Sequence, residues 1–258
     1  MMTATLRLGE ARPTRHRVRL ADGNGDLAKA QALRHLCFVE ARGLSPRPAR
    51  LDADRHDPLC RHLMVEDATG ALAGCLRVRA FPDAATLNDG YAAQSYDLAP
   101  FAAHPGPFLE VGRLCVLPEA PAPDVLRLAW GALAALARDE GARALLGCCS
   151  FEGTDPAPYR EAFALLRADH VAPPRWQPGR RAPETVALSS LGRRPDRIAA
   201  LRALPSLLRS YLGMGGWVSD HAVVDRDLGT LHVLTILDAA RVPPPRLKAL
   251  GALAPALG

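Results

Sequence analysis

Glu110 and Arg113 stand three residues apart in Phe108-Leu-Glu-Val-Gly-Arg-Leu-Cys-Val-Leu-Pro118, a run otherwise composed like a buried strand. Leu109, Val111, Leu114, Val116 and Leu117 supply its apolar, partly β-branched setting. An ionised glutamate without a partner is costly in such a place, so the acid must either take a proton or be compensated. Regular alternation puts residues i and i+3 on opposite faces of a sheet. Gly112 lies between the two, and a glycine inside a strand marks a bulge or a close approach of backbone to ligand. A bulge at Gly112 brings acid and guanidinium towards one face, which is the outline of an active site.

Other charged residues have weaker claims. Asp54-Arg-His-Asp57 places two carboxylates three apart in a loop, where they hold a cation or ammonium group, or cap a turn. Arg77, on the strand face of Cys75 and Arg79, reads from its own segment as part of a solvent-facing basic stripe. His62 and Asp67 match an H-x4-D acyltransferase signature, but five residues apart on a strand they face opposite sides, so the match is coincidental. In Phe151-Glu-Gly-Thr-Asp-Pro156, Thr154 or Asp155 is a natural helix N-cap, with Pro156 at the first turn. Gly213-Met-Gly-Gly216 lacks the Lys and Ser/Thr of a phosphate loop and reads as a turn.

The elements that must position these groups follow from periodicity. A strand at 16–20 precedes a turn at Asp22–Asp26, and an amphipathic helix runs from Leu27 to Glu40. A charged loop covers 44–61, then a hairpin pairs His62–Glu66 with Leu72–Phe81. An Ala/Pro/Gly-rich excursion at 82–107 leads into the Phe108–Leu117 strand. A helix at Asp124–Glu140, a strand at Ala144–Cys149 and a helix near 158–167 follow. Beyond a basic, Pro-rich stretch at 172–183 come a helix at Leu204–Leu212 and strands at Trp217–Val224 and Thr230–Leu237. This order predicts a mixed α/β layered domain. The expected division is an N-terminal segment 1–26, a catalytic core 27–170, a C-terminal part of the same unit 171–238 and a peripheral tail 239–258.

With 48% hydrophobic and 23% charged residues, the chain of 258 residues is globular. It has no apolar run of membrane-spanning length and no secretory leader, which points to the cytoplasm, with peripheral membrane attachment left open. Six cysteines show neither CxxC pairs nor zinc spacing with histidine, so no metal is expected and a reducing compartment fits. The net charge of +5 favours acidic partners. Nucleic acid is excluded among these, because aromatics are scarce at 5% and no basic run or binding motif occurs.

Leu33-Arg-His-Leu-Cys-Phe38, Asp54-Arg-His-Asp57, Leu63-Met-Val65, Gly74-Cys-Leu-Arg77, Leu109-Glu-Val-Gly-Arg113 and Gly147-Cys-Cys-Ser-Phe-Glu-Gly-Thr-Asp-Pro156 occur in this order. Together they resemble the ornithine-acyl-carrier-protein N-acyltransferases, the lyso-ornithine-lipid synthases, a GNAT branch related to acyl-homoserine-lactone synthases. The resemblance covers about residues 27–238 and implies an α/β fold with a mixed, mostly antiparallel twisted sheet flanked by helices and a C-terminal extension. It implies transfer of a 3-hydroxyacyl chain from acyl carrier protein to the α-amine of ornithine, with no bound cofactor. It implies Glu110 as base, Arg113 as its orienter or as partner of the substrate carboxylate, and Asp54 and Asp57 beside Arg77 as holders of the amino acid's cationic groups. Arg34 and Phe38 shape the pocket, Ser150, Thr154 and Asp155 lie near substrate, and backbone at Gly112 and Leu114 faces the oxyanion.

The donor has its own sequence signal. The stretch after the central strand, Glu119-Ala-Pro-Ala-Pro-Asp124, has two prolines without N–H and two acids, which disfavours the pyrophosphate of coenzyme A. A carrier-bound phosphopantetheine needs no such loop, and an acidic carrier suits the basic balance. The competing readings are an acyl-homoserine-lactone synthase, a relative acylating glutamine, lysine or glycine, and a non-catalytic carrier- or membrane-binding module. Basic stretches at Arg175–Arg181, with Trp176, and at Arg193-Arg194 are where anionic headgroups would be met.

Overall fold

The computed structural model describes residues 16–191 and 195–253. In chain order its elements are β1 (Arg17–Leu20), α1 (Gly23–Phe38), β2 (Arg61–Glu66), β3 (Leu72–Phe81), β4 (Tyr96–Asp97), β5 (Phe108–Val116), α2 (Ala122–Asp139), β6 (Ala144–Glu152) and α3 (Arg160–Asp169). There follow β7 (Gly179–Arg180), β8 (Thr185–Ala187), α4 (Arg197–Ala203), α5 (Ser206–Gly213), β9 (Trp217–Val218), β10 (His221–Asp225), β11 (Thr230–Asp238) and α6 (Pro244–Leu253).

The main sheet runs β1-β2-β3-β5-β6-β11-β10-β8, with β9 paired to β11. Neighbours are antiparallel except β5 and β6, so the expected mixed, mostly antiparallel sheet is present. The parallel pair is short. Phe108, Leu109 and Glu110 match Ala144, Leu145 and Leu146, and the ladder then ends. At that point a Cβ on Gly147 would lie 2.2 Å from the Val111 carbonyl oxygen. Only glycine lets the strands touch there before they part.

One face of the sheet is covered by α2, whose Val125, Leu128, Ala129, Ala132, Leu133 and Leu136 pack on Leu63, Val65, Val78, Leu109 and Val111. Burying each leucine stabilises by about 1.5–3 kcal/mol, so this layer anchors the central strands. The opposite face carries α1 and the 82–107 excursion, through Ala30 and Leu33 on Cys75 and Cys115, and Leu87, Tyr96 and Phe101 near Phe81 and Phe108. Helix α1 has a thin apolar stripe, because it also buries Asp26, Arg34 and His35.

Two expectations change. The Asp22–Asp26 segment opens α1 instead of forming a separate turn, because the Asp26 carboxylate accepts the Asp22 N–H at 3.1 Å and pairs with Arg19 and Lys29. The strand expected at Trp217–Val224 is broken at Ser219, whose hydroxyl donates to the His221 carbonyl and accepts from the Leu234 N–H. The C-terminal tail holds a helix, α6, lying on α2, where absence of a side chain at Gly131 makes room for Leu253. Trp176 is buried at 3% exposure and stacks on His104 at 3.5 Å, so its ring is not available to a membrane. Arg193 and Arg194 lie outside the described residues. Among those described, no helix is long and apolar enough to cross a membrane.

Candidate active site

The bulge exists, but one residue later than expected. Cys75 pairs with Cys115 and Arg77 with Gly112, so Arg113 and Leu114 together oppose the single residue Leu76. Arg113 takes the left-handed conformation, with φ of 54°. Gly112 has no positive φ, and a Cβ there would meet nothing nearer than Arg77 Nε at 3.7 Å. A non-glycine residue held left-handed is strained, and the strain is retained here by what its side chain reaches.

That side chain does not orient Glu110. Arg113 donates from Nε to Asp52 at 2.9 Å and from Nη2 to Asp54 at 3.3 Å. Arg77 Nη1 donates to Asp54 and Asp57, both at 2.6 Å. Arg34, 1% exposed on α1, bonds Asp52 at 2.9 Å and Asp57 at 2.8 and 3.2 Å, and also donates to the Asp52 carbonyl. Gln31 and Arg47 complete the set, at 2.9 Å to Asp57 and 2.8 Å to Asp52. The three carboxyls are held below the ordinary aspartate range by these arginines, although burial pushes the other way. Asp54 and Asp57, expected as holders of substrate cations, are thus engaged by the protein's own arginines, and neither is among the residues that line the cavity. Asp52 is fully buried at the centre of the network. Its only sequence signal was proximity to the Asp54–Asp57 pair.

Glu110 is 8% exposed and accepts two backbone N–H bonds, from Tyr91 at 2.8 Å and Ala92 at 2.6 Å. Burial raises its carboxyl above the usual range, with those amides and Arg77 and Arg79 opposing. Tyr91 was not foreseen. Its ring lies 5.3 Å from the Arg77 guanidinium and 4.8 Å from that of Arg113, so the excursion closes over the site.

A cavity of about 230 Å³ occupies the gap where β5 and β6 separate. Its lining divides in two. Arg77, Tyr91, Glu110, Arg113, Asp225 and His232 make a polar part, whereas Ala129, Trp130, Leu133, Leu207 and Tyr211 belong to the α2 and α5 side. Phe38, Gly112, Leu114 and Ser150 also line it. Thr154 and Asp155 do not. Asp155 instead accepts the Ala157 N–H at 2.9 Å in the turn before α3, whose own N-cap is Tyr159, so neither Thr154 nor Asp155 is the helix cap expected from the sequence. Arg34 likewise stands behind the wall and acts through Asp52 and Asp57. His62 binds the Asp57 carbonyl and Asp67 caps the hairpin turn, so they form no dyad. All six cysteines are free.

The pattern described as an acetyltransferase (GNAT) domain matches residues 33–131. An L-ornithine N(alpha)-acyltransferase of Rhodobacter capsulatus is 34% identical, over 88% of this chain and 92% of that protein. One of Rhizobium meliloti is 32% identical over 91% and 83%, and one of Agrobacterium fabrum 31% over 87% and 81%. Among solved structures, the CoA-dependent acyl-homoserine lactone synthase BjaI aligns with TM-score 0.52 and 12% identity, over 94% of this chain and 92% of that one. MesI, another such synthase, aligns at 0.51 and 13%, over 93% and 98%. At these identities the structural likeness concerns the fold.

Proposed function

The chain belongs to the L-ornithine N(alpha)-acyltransferases, and from that premise we propose that it moves a 3-hydroxyacyl chain from acyl carrier protein to the α-amine of ornithine, giving lyso-ornithine lipid. The observation that carries this reading is the gap between β5 and β6, polar on one side of the sheet and apolar on the other. The thioester lies in the gap. Its acyl chain runs towards Ala129, Trp130, Leu133, Leu207 and Tyr211, and the amino acid approaches on the side of Arg77, Tyr91 and Glu110.

The α-ammonium must lose a proton before it can attack the thioester carbon. Glu110, lining the cavity with a raised affinity for protons, accepts it directly or through a water. Attack forms the C–N bond and places negative charge on the thioester oxygen. Backbone at the bulge, from Gly112 to Leu114, faces that oxygen. Collapse breaks the C–S bond, and one of the two protons shed by the nitrogen goes to the departing thiolate. Arg77 lines the same cavity, and its Nη2 is buried without a partner among the described residues. A substrate carboxylate supplies the missing acceptor.

Carrier protein is preferred to coenzyme A as donor because α2 starts with Pro121 as its cap residue and Pro123 in its first turn, neither of which has an N–H to give, and with Asp124 in the same turn. That helix end is poorly equipped for pyrophosphate. Residues 27–170 and 171–238 act as one unit in this reading, supported by the nine-residue ladder of β11 on β6. The test incubates purified protein with 3-hydroxyacyl carrier protein, the corresponding acyl-CoA and ornithine, and identifies products by mass spectrometry. Lyso-ornithine lipid from the carrier donor supports the proposal. A lactone formed from S-adenosylmethionine, or acylation of glutamine, lysine or glycine in preference to ornithine, would sink it.

A further inference from the structure

Asp225 and His232 are two cavity-lining residues that the mechanism above does not use. Asp225 ends β10, and its carboxylate takes the Leu228 N–H at 2.9 Å. Unlike Asp52, Asp54 and Asp57, it has no ion-pair partner among the described residues. Arg42, which also lines the cavity, donates instead to the Leu228 carbonyl at 3.3 Å.

His232 sits on β11 directly opposite Ser150 of β6 and is 4% exposed. The Tyr96 hydroxyl donates to the His232 carbonyl at 2.8 Å and lies 3.1 Å from Nδ1. With its single hydrogen committed, that hydroxyl receives Nδ1–H, which leaves the lone pair of the ring on Nε2. Nε2 has no hydrogen-bond partner among the described residues. Burial keeps the ring neutral, lowering its pKa to about 4 against the opposing pull of Asp225, while His221 and Arg113 lower it further.

We propose that the Asp225 carboxylate and the His232 Nε2 lone pair form the subsite for the side-chain ammonium of the acceptor, and so distinguish a diamino acid from a neutral one. An ammonium is all donor, and it needs acceptors with at least one formal negative charge. Asp225 and the bare Nε2 meet both requirements on one cavity wall. The other acids of the neighbourhood are closed to substrate: the loop aspartates are bound to arginines, and Glu110 is committed to the reacting amine. With the carboxylate at Arg77 and the α-amine at Glu110, the side-chain amine is the remaining charge to be met. This inference rests on the ornithine reading above.

The test measures kcat/KM for ornithine and for norvaline, which has the same carbon chain without the terminal ammonium. Wild-type protein should favour ornithine. Asp225→Asn should lower the ornithine-to-norvaline ratio by roughly 10- to 100-fold, the worth of a hydrogen bond to a charged group. His232→Gln should lower it by less, since the formal charge remains, and Asp225→Glu should restore part of it. An unchanged ratio in Asp225→Asn overturns the inference. So does a proportional loss with both substrates, or a rise confined to KM for the acyl donor. A wild-type protein with no preference for ornithine would instead defeat the acceptor assignment on which the inference rests.

Discussion

The loop carboxylates Asp52 and Asp57 and the strand carboxylate Glu110 are all more than nine-tenths buried, yet they are opposite in character. Each oxygen of the loop pair meets an arginine, and the protons of both groups are held more loosely than in water. The oxygens of Glu110 meet only backbone N–H, and burial leaves it a stronger proton acceptor than an ordinary glutamate. Burial is thus shared, and the partner decides the role. The arginine-bound set fixes geometry, and the amide-bound acid keeps chemistry available.

Breaking the fixed set should have the largest effect. Asp57→Ala leaves Arg34 and Arg77 buried with a carboxylate missing, and urea unfolding should show a loss of about 3–5 kcal/mol. A loss below about 1 kcal/mol, the level of an exposed pair, would mean the network is not the scaffold described. Gly147→Ala should come next. Its methyl must displace the Val111 carbonyl, and overpacking of this kind costs about 1–3 kcal/mol. Because the clash sits where the strands part, acylation should fall with it, whereas full activity would place the reaction elsewhere.

The pH dependence of stability sharpens the same contrast. Asp52, Asp54 and Asp57 have folded-state pKa values below their unfolded ones. Their contribution is complete above the unfolded value of about 3.9 and is lost as pH falls through it towards the folded values. Glu110 has the opposite sign, so its ionisation detracts from stability as pH rises past the ordinary glutamate range. Acid titration of urea midpoints should therefore show a steep loss below about pH 4 in wild type. The loss should be shallower in Asp57→Ala, and an equal slope would contradict the assignment. The smallest effect belongs to Asp155→Ala, which removes one exposed turn hydrogen bond, worth about 1 kcal/mol at most, and should leave kcat/KM for ornithine unaltered.

The central strand, its bulge and the sheet around it were legible because a charged pair in an apolar run is a local anomaly. The position of the bulge was not. Glycine suggested itself, but the left-handed residue is Arg113, held by Asp52 and Asp54 from a distant loop. Asp54 and Asp57 were visible as a pair, but spacing does not reveal that arginines from α1, β3 and β5 converge on them. Tyr91 sits in an excursion without periodicity, and Asp225 and His232 meet the site only through the order of strands β6, β11 and β10. Residues united by sheet topology alone leave no local pattern to read.

The most direct test of Glu110 as the proton acceptor is the pH–rate profile of kcat/KM for wild type and Glu110→Gln. Wild type should show an acidic limb above the ordinary glutamate pKa of about 4.3, reflecting the raised carboxyl. The amide variant should be slower by about 10²- to 10⁴-fold and lack that limb. A variant of near-normal rate, or one that retains the limb, would show that another group takes the proton.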